Sequence, residues 1–377
     1  MSEKRALNIG LIGYQFMGRA HSHAIKALHV FGDELPFRPV MRVICGRNEA
    51  AARKVADHYG WERVETSWEN VVADPEIDVI DIVTPGDTHC PIAVAAAEAG
   101  KHVICEKPLA LTGDEARRMH EAAVRNKVKH VVNFNYRQVP AVIHAHRLVT
   151  EGTIGDVCSF HGSYRQDWSM SPDVPFVWRF DEKVAGAGSM ADNGSHIIDL
   201  ARYLVGEFAE VTGQSTIFRP ERVGADGKPK PVTTDDAAVF LARFRDGALG
   251  FFHTSRFCPG HKNGLQFEIN GTKGSIRWDL ERLNELEVFV DDGAAPGAEF
   301  QRIMVTEGGA HPYVGHWWPP GHILGWEHTF VHQLYALLKA IAEDGPTSPD
   351  FEDGLKCQLV IDALAEAEKS RGWVALK

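Results

Sequence analysis

Cysteine is scarce: six in 377 residues, at 45, 90, 105, 158, 258 and 357, with no C-x-x-C pair. That leaves no disulfide framework and no cysteine-built zinc cluster to organise the chain. Cys45 and Cys105 lie in apolar runs and read as small buried side chains. Long apolar runs are absent, and a membrane-spanning helix needs about 20 such residues. The opening MSEKRALNIGLIG passes from charge directly into a strand, with no signal-peptide pattern, so a cytoplasmic location is expected. A basic excess is missing too. Forty Lys and Arg against 51 Asp and Glu give a net charge of −11, which argues against nucleic acid or an anionic membrane as the main partner. An anionic small molecule held by local arginines stays possible. There is no internal repeat and no low-complexity tail.

What is present is ordinary globular composition, 44% hydrophobic and 24% charged, at a length that suits two domains. Apolar strand runs alternate with helical segments through residue 135. The strands are Leu7–Ile12, Val40–Cys45, Asp78–Thr84, His102–Cys105 and His130–Asn135. The helices are Met17–Val30, Glu49–Tyr59, Trp68–Ala73, Pro91–Ala99 and Gly113–Asn126. Such alternation demands a doubly wound parallel sheet, an α/β fold. Beyond it come a helix over Pro140–Thr150, a strand over Val157–Arg165 and a helix from about Asp192 to Leu204. Strands that alternate apolar and polar residues then predominate. Pro220–Pro231 and Asp291–Gly297 read as loops, and 326–343 and 352–369 as closing helices. The expected division is a nucleotide-binding domain over 1–137 and a second domain over 138–377.

Gly13-Tyr14-Gln15-Phe16-Met17-Gly18 joins the first strand to the first helix. A dinucleotide turn asks for G-x-G-x-x-G, so that the chain turns tightly and the pyrophosphate approaches the backbone. Gln15 stands in the middle glycine position. The second strand ends in Cys45-Gly46-Arg47-Asn48, without the acid that takes ribose hydroxyls in NAD sites. Arg47 would suit a 2′-phosphate, which favours NADP, or stack on adenine, and Asn48 would suit ribose hydroxyls; these residues do not decide between the two cofactors, and NAD is expected with NADP left open. The stretch KHVICEKP delivers Glu106, Lys107 and Pro108 at a strand's carboxyl end, the edge where open α/β sheets bind ligands.

Four segments, GLIGYQFMGRAH, TPGDTH, CEKP and GAGSMADNGSHIIDL, together resemble the glucose–fructose oxidoreductase / inositol dehydrogenase / MocA superfamily. The resemblance runs over nearly the whole chain and looks closest to levoglucosan- and glycoside-type dehydrogenases. It implies a Rossmann domain followed by an α+β domain with a large, mostly antiparallel open sheet, through which copies associate as a homo-dimer or homo-tetramer. It implies Lys107, Asp192 and His196 as catalytic residues. A histidine titrates near neutral pH and suits removal of a hydroxyl proton. Lys107 would stabilise the developing alkoxide, and Asp192 would orient the pair. On one helix Asp192 and His196, four apart, share a face.

The cofactor set expected on this basis is Gly13, Gln15, Phe16, Met17, Gly18, Arg47, Asn48, Thr84, Pro85, Asp87, His89, Glu106, Lys107 and Asn135. The substrate set is Tyr136, Arg137, Arg165, Asp167, Trp168, Trp178 and His328, rings and polar edges that suit a polyhydroxylated ring. The segment HPYVGHWWPPGHILGWEH, His311–His328, reads as a lid or an arm. A metal set of Asp192, His196 and Asp199 has no completing cluster, so no metal is expected. The leading expectation is oxidation of a secondary hydroxyl of a sugar, glycoside, anhydrosugar or cyclitol, at the carbon equivalent to C3. The alternative is a glycosidase that uses NAD transiently, through C3 oxidation, elimination, water addition and re-reduction. A catalytically silent cofactor-binding sensor is the third class.

Overall fold

The computed structural model describes residues 4–291, 293 and 299–376. Residues 292 and 294–297 of the expected Asp291–Gly297 loop lie outside the described residues. In chain order, β1 (Ala6–Ile12) leads to α1 (Phe16–Ala27), and β2 (Arg38–Cys45) to α2 (Glu49–Tyr59). Short β3 (Arg63–Glu65) leads to α3 (Trp68–Ala73), β4 (Val79–Ile82) to α4 (His89–Glu98), and β5 (His102–Cys105) to α5 (Gly113–Arg125), before β6 (His130–Val132). The strands form one parallel six-stranded sheet in the order β3-β2-β1-β4-β5-β6. The order reverses between β1 and β4, which opens a crevice at their carboxyl ends.

Local chemistry sets these elements. Leu11, Val43, Ile44, Ile80, Ile82, Val103 and Ile104 are buried along the central strands, each side chain stabilising the fold by roughly 1.5–3 kcal/mol. Asn48 caps α2 by accepting from Ala51 N–H at 3.0 Å, and Gly60 ends the helix at φ +85°. The first helix stops at Ala27, short of the expected Val30, because Leu28–Glu34 tightens into a 3-10 segment kinked at Gly32. β3 was not expected: three half-buried residues carry no apolar run.

After β6 come α6 (Pro140–Thr150), β7 (Val157–Arg165), α7 (Glu182–Ala185), α8 (Ser189–Asp192) and α9 (Gly194–Leu204). Then follow β8 (Phe208–Thr216), β9 (Glu221–Val223), β10 (Pro229–Pro231), β11 (Ala237–Phe244) and β12 (Leu249–Ser255). The chain closes with β13 (Gly264–Gly271), β14 (Gly274–Asp279), β15 (Glu285–Val290), β16 (Gln301–Met304), α10 (His328–Glu343), α11 (Phe351–Ser370) and β17 (Val374–Ala375). Nine strands form a sheet in the order β16-β15-β14-β13-β7-β12-β11-β8-β17. Its pairs are antiparallel except β7 with β12. In β11, Phe240, Ala242 and Phe244 point inward while Val239, Leu241 and Arg243 are exposed, so one face is packed. The Pro220–Pro231 stretch is not a plain loop: β9 and β10 pair as a two-stranded ribbon.

Two compact units result. One holds the chain up to Gln138 together with Gly325–Leu355; the other holds Val139–Leu324 and the chain from Lys356 on. The sequence division placed everything after 137 in the second domain, whereas α10 groups with the first unit. Its apolar stripe explains this: Tyr335 stacks on Phe31 with ring centroids 3.7 Å apart, and Phe330, Leu334 and Leu337 are buried. Among the described residues no helix is long and apolar enough to cross a membrane.

Candidate active site

The glycine turn comes first. Gly13 sits at φ +115°, and a Cβ there would lie 2.9 Å from Val83 O. A Cβ on Gly18 would lie 2.6 Å from Gly13 O, so α1 can start hard against the turn only with glycine at both places. Gln15 is the exposed residue preceding α1, its side chain makes no cap hydrogen bond, and the first turn carries no acid. The positive helix end therefore faces outward, a cradle that fits a pyrophosphate. Phe16 is exposed and stacks on Trp326 at 5.6 Å, while Met17 is half-buried. Tyr14 covers Gly46 so closely that a Cβ there would strike its ring.

At the tip of β2, Arg47 is exposed, while the Asn48 side-chain oxygen is occupied by capping α2. The Cys45 thiol is pushed up to about 12, first by burial and then by the Glu65 and Glu69 carboxylates. Acids therefore do stand near this tip, supplied by β3 and the start of α3 rather than by β2. They were missed because β3 itself was.

The β4 exit is tied inward. Thr88 Oγ1 donates to Pro85 O at 2.8 Å and lies 2.7 Å from Thr84 Oγ1, and Asp87 is exposed. His89 was expected to touch cofactor. It is buried instead, with Nδ1 3.0 Å from Pro108 O and Nε2 2.9 Å from Thr84 O, clamping the β4 exit to the β5 exit. Glu106 is likewise buried, its Oε1 2.9 Å from His21 Nε2 and its Oε2 accepting the Lys107 N–H at 3.2 Å. Lys107 itself is half-buried.

Past β6, Asn135 is buried and donates from Nδ2 to Thr329 Oγ1 at 2.7 Å. Tyr136 is buried, its hydroxyl accepting from Trp326 Nε1 at 3.3 Å. Arg137 was expected at the sugar or the nicotinamide, with a salt bridge as the alternative. It is buried and forms a bidentate pair with Asp353, both contacts at 3.1 Å. His328 Nδ1 accepts the Gly325 N–H at 3.0 Å and so folds back on its own loop. Trp326, which touches both Phe16 and Tyr136, was missed among the other aromatics of its loop.

In the second unit the expected single helix is two segments, α8 and α9, meeting at Asn193. Asp235 secures the first: it accepts Gly188 N–H at 2.6 Å, Ser189 Oγ–H at 2.9 Å and Met190 N–H at 2.9 Å. A Cβ on Gly188 would lie 1.9 Å from Asp235 O, so glycine is required at this approach. Asp192 ends α8, and its carboxylate receives Arg256 Nη2 at 3.1 Å, with Arg179 Nε 3.8 Å away. His196 is buried on α9, its ring 5.9 Å from Tyr164. Arg256 also lies 5.4 Å over Trp168, and Arg179 4.4 Å over Trp178, whose ring is partly exposed. Of the expected substrate groups here, Arg165 is engaged by Gln266, and Asp167 by Lys262 at 2.7 Å. Asp235 and Arg256 were missed. The available signal was weak, an arginine closing the strand HTSRF.

The first unit thus carries the glycine turn and, at the carboxyl edge of the same sheet, Lys107; the second carries the Arg256-held Asp192 and the buried His196. Residues 7–134 match the model of an oxidoreductase family with an NAD-binding Rossmann fold, and residues 142–277 match a GFO/IDH/MocA C-terminal domain. The chain is 42% identical to a levoglucosan dehydrogenase of Pseudarthrobacter phenanthrenivorans, covering 98% of this chain and 97% of that one. A solved levoglucosan dehydrogenase in complex with NADH and levoglucosan superposes with a TM-score of 0.95 at 42% identity, over 99% of this chain and 100% of that chain. An oxidoreductase domain protein from Kribbella flavida superposes equally, TM-score 0.95 at 46% identity, over 99% and 100% of the two chains.

Proposed function

The chain belongs to the GFO/IDH/MocA oxidoreductase family, with an NAD-binding Rossmann domain, and from that premise we propose that it oxidises a secondary hydroxyl of a neutral pyranose-type ring, levoglucosan being the first candidate. One placement carries this reading. Lys107 follows β5 at the carboxyl edge of the same parallel sheet from which Gly13 follows β1. The choice of sugar is supported by the full-length similarity to a levoglucosan dehydrogenase.

NAD, when bound, supplies the acceptor for the hydride. Gly13, Gly18 and the start of α1 would hold its pyrophosphate, and Gln15, Phe16 and Met17 would border it. Lys107 donates a hydrogen bond to the reacting oxygen and stabilises it as negative charge develops. His196 takes the hydroxyl proton. Asp192, anchored by Arg256, binds and orients beside His196. Trp168 and Trp178 offer ring faces to the apolar side of the sugar. Val239, Leu241, Leu249 and Phe251 share an exposed sheet face, which we read as the surface on which copies associate.

The test is purified protein with NAD and, separately, NADP against levoglucosan, inositols and aryl glycosides, reading reduced cofactor and aglycone release together. Reduction of NAD by levoglucosan is the expected result. Aglycone release without net reduction would establish the redox-neutral glycosidase cycle instead, a cycle that the dehydrogenase names of the relatives disfavour.

A further inference from the structure

A charged network lies beneath Lys107 that the hydride chemistry does not call on. Asp81 is fully buried in the middle of β4, a central strand whose four residues are all buried. An acid there needs a partner, because an unpaired buried charge costs several kcal/mol. The partner is His21, on the buried side of α1. Its Nδ1 lies 3.0 and 2.9 Å from the two Asp81 oxygens, and its Nε2 lies 2.9 Å from Glu106 Oε1. Asn133, leaving β6, donates from Nδ2 to the same Glu106 oxygen. Glu106 Oε2 takes the backbone N–H of Lys107 at 3.2 Å.

We propose that His21 is a positioning residue for Lys107, bridging Asp81 and Glu106 so that the helix behind the glycine turn and the strand exit that carries the lysine are fixed to each other. The inference rests on the dehydrogenase reading above. Both ring nitrogens face carboxylate oxygens, and with both acids ionised each contact is attractive only when its nitrogen carries a proton. Burial alone would lower the His21 pKa; the Asp81 charge and hydrogen bond, with those of Glu106, push it up to about 10. The opposite shift holds in Glu106, where the cost of burial is outweighed by His21, Asn133 and Lys107, and the carboxyl is lowered. Asn133 Nδ2 also lies 3.1 Å from His21 Nε2, so the Glu106 oxygen and the amide share that side of the ring. Cys105 on β5 has its thiol raised well above the usual range by burial and by these two acids, and Phe330 of α10 presents an apolar ring 5.4 Å from the imidazole.

Removing the cation leaves two carboxylates without the charge that separates them. One then takes up a proton across the neutral range, and the hold of Glu106 on the Lys107 backbone becomes dependent on pH.

The test compares wild type, His21→Gln and the charge-balanced His21→Gln/Asp81→Asn in NAD-dependent levoglucosan oxidation from pH 6 to 10. NADH affinity is measured by fluorescence, and histidine-15N spectra are recorded on the wild type. Expected for His21→Gln is a fall in kcat of about 100-fold, KM for NAD within about threefold, and a new inflection near neutral pH that the double variant removes. Wild-type spectra should contain one imidazolium that stays protonated on both nitrogens above pH 8. A neutral His21 ring at pH 7 overturns the proposal, and that reading needs neither a folded variant nor a known substrate. An unchanged pH profile with a loss that merely tracks stability also overturns it. If wild type leaves levoglucosan untouched while its His21 is cationic, the substrate reading fails and the charged bridge stands.

Discussion

Arg256 is 1% exposed and donates from Nη2 to Asp192 Oδ2 at 3.1 Å. The same nitrogen reaches Gly188 O at 3.0 Å, and Nη1 reaches Arg179 O at 3.4 Å. One guanidinium therefore gathers the start of α8, the chain before α7 and the carboxylate that ends α8. Only a planar fork with several donors satisfies these acceptors at once.

Arg256→Lys should accordingly keep the charge and lose the geometry. Expected is a 10- to 100-fold drop in kcat, of the size that small misplacements of reacting groups produce. Arg256→Met should further cost about 2 kcal/mol of stability, below the usual loss for a fully buried pair because the Asp192 side chain is 28% exposed. Steady-state kinetics and urea denaturation check the two effects separately.

Lys107→Met and His196→Ala should each lower kcat by roughly 100- to 10,000-fold, the range that general acid–base and electrostatic groups supply. NADH binding should survive both, since the glycine turn and α1 are untouched. Equal losses of NADH affinity and turnover would show instead that these side chains serve the cofactor alone.

What was legible in the sequence, and what was not, divides along physical lines. Runs such as VMRVIC and HVIC declare buried strands because burial on both faces needs unbroken apolar residues. β3 hid because its three residues are only half-buried. β10 hid because Pro229 and Pro231 have no N–H to give a ladder; the ribbon is held instead around Lys230 and Arg222. In the site, Lys107, Asp192 and His196 stood out through the resemblance of their motifs. Asp81 was also readable in principle, as an acid inside the strand DVIDIVT, yet its partner lies 60 positions away and no local pattern names it. Arg256 reads as a solvated strand exit, and only tertiary structure reveals its burial.

Stability should peak between two titrations. The His21 pKa is raised from 6.5 to about 10, by Asp81 and Glu106 against the cost of burial. Its contribution is complete below pH 6.5 and is lost as pH rises through about 10. His130 and His144 behave oppositely. Burial, helped by His120 beside His130 and by Arg147 beside His144, lowers both from 6.5 to about 4. Their contribution is complete above pH 6.5 and is lost as pH falls through about 4. For His130 the reason is visible: the neutral ring accepts the Phe351 N–H at 3.0 Å, and a second proton removes that acceptor. Urea midpoints at pH 4.5, 7 and 10.5 should fall on both sides of neutrality. The gap between wild type and His21→Gln should narrow between pH 7 and 10.5.

Arg137 offers the clearest contest between sequence and structure. Its position after β6 suggested a hand on the sugar, whereas its two terminal nitrogens each meet an Asp353 oxygen at 3.1 Å and its side chain is 6% exposed. Asp353 also accepts the Asp350 N–H at 3.2 Å, so the pair ties the β6 exit to the start of α11. Arg137→Met removes the cation of this pair, and Asp353→Asn removes its anion. Each should cost about 3 kcal/mol. The double variant should cost clearly less than the sum, since both changes remove the same pair. KM for the sugar should stay within twofold in all three proteins. A tenfold rise in KM with the urea midpoint unmoved would return Arg137 to the substrate and leave the Asp353 pair without a structural role.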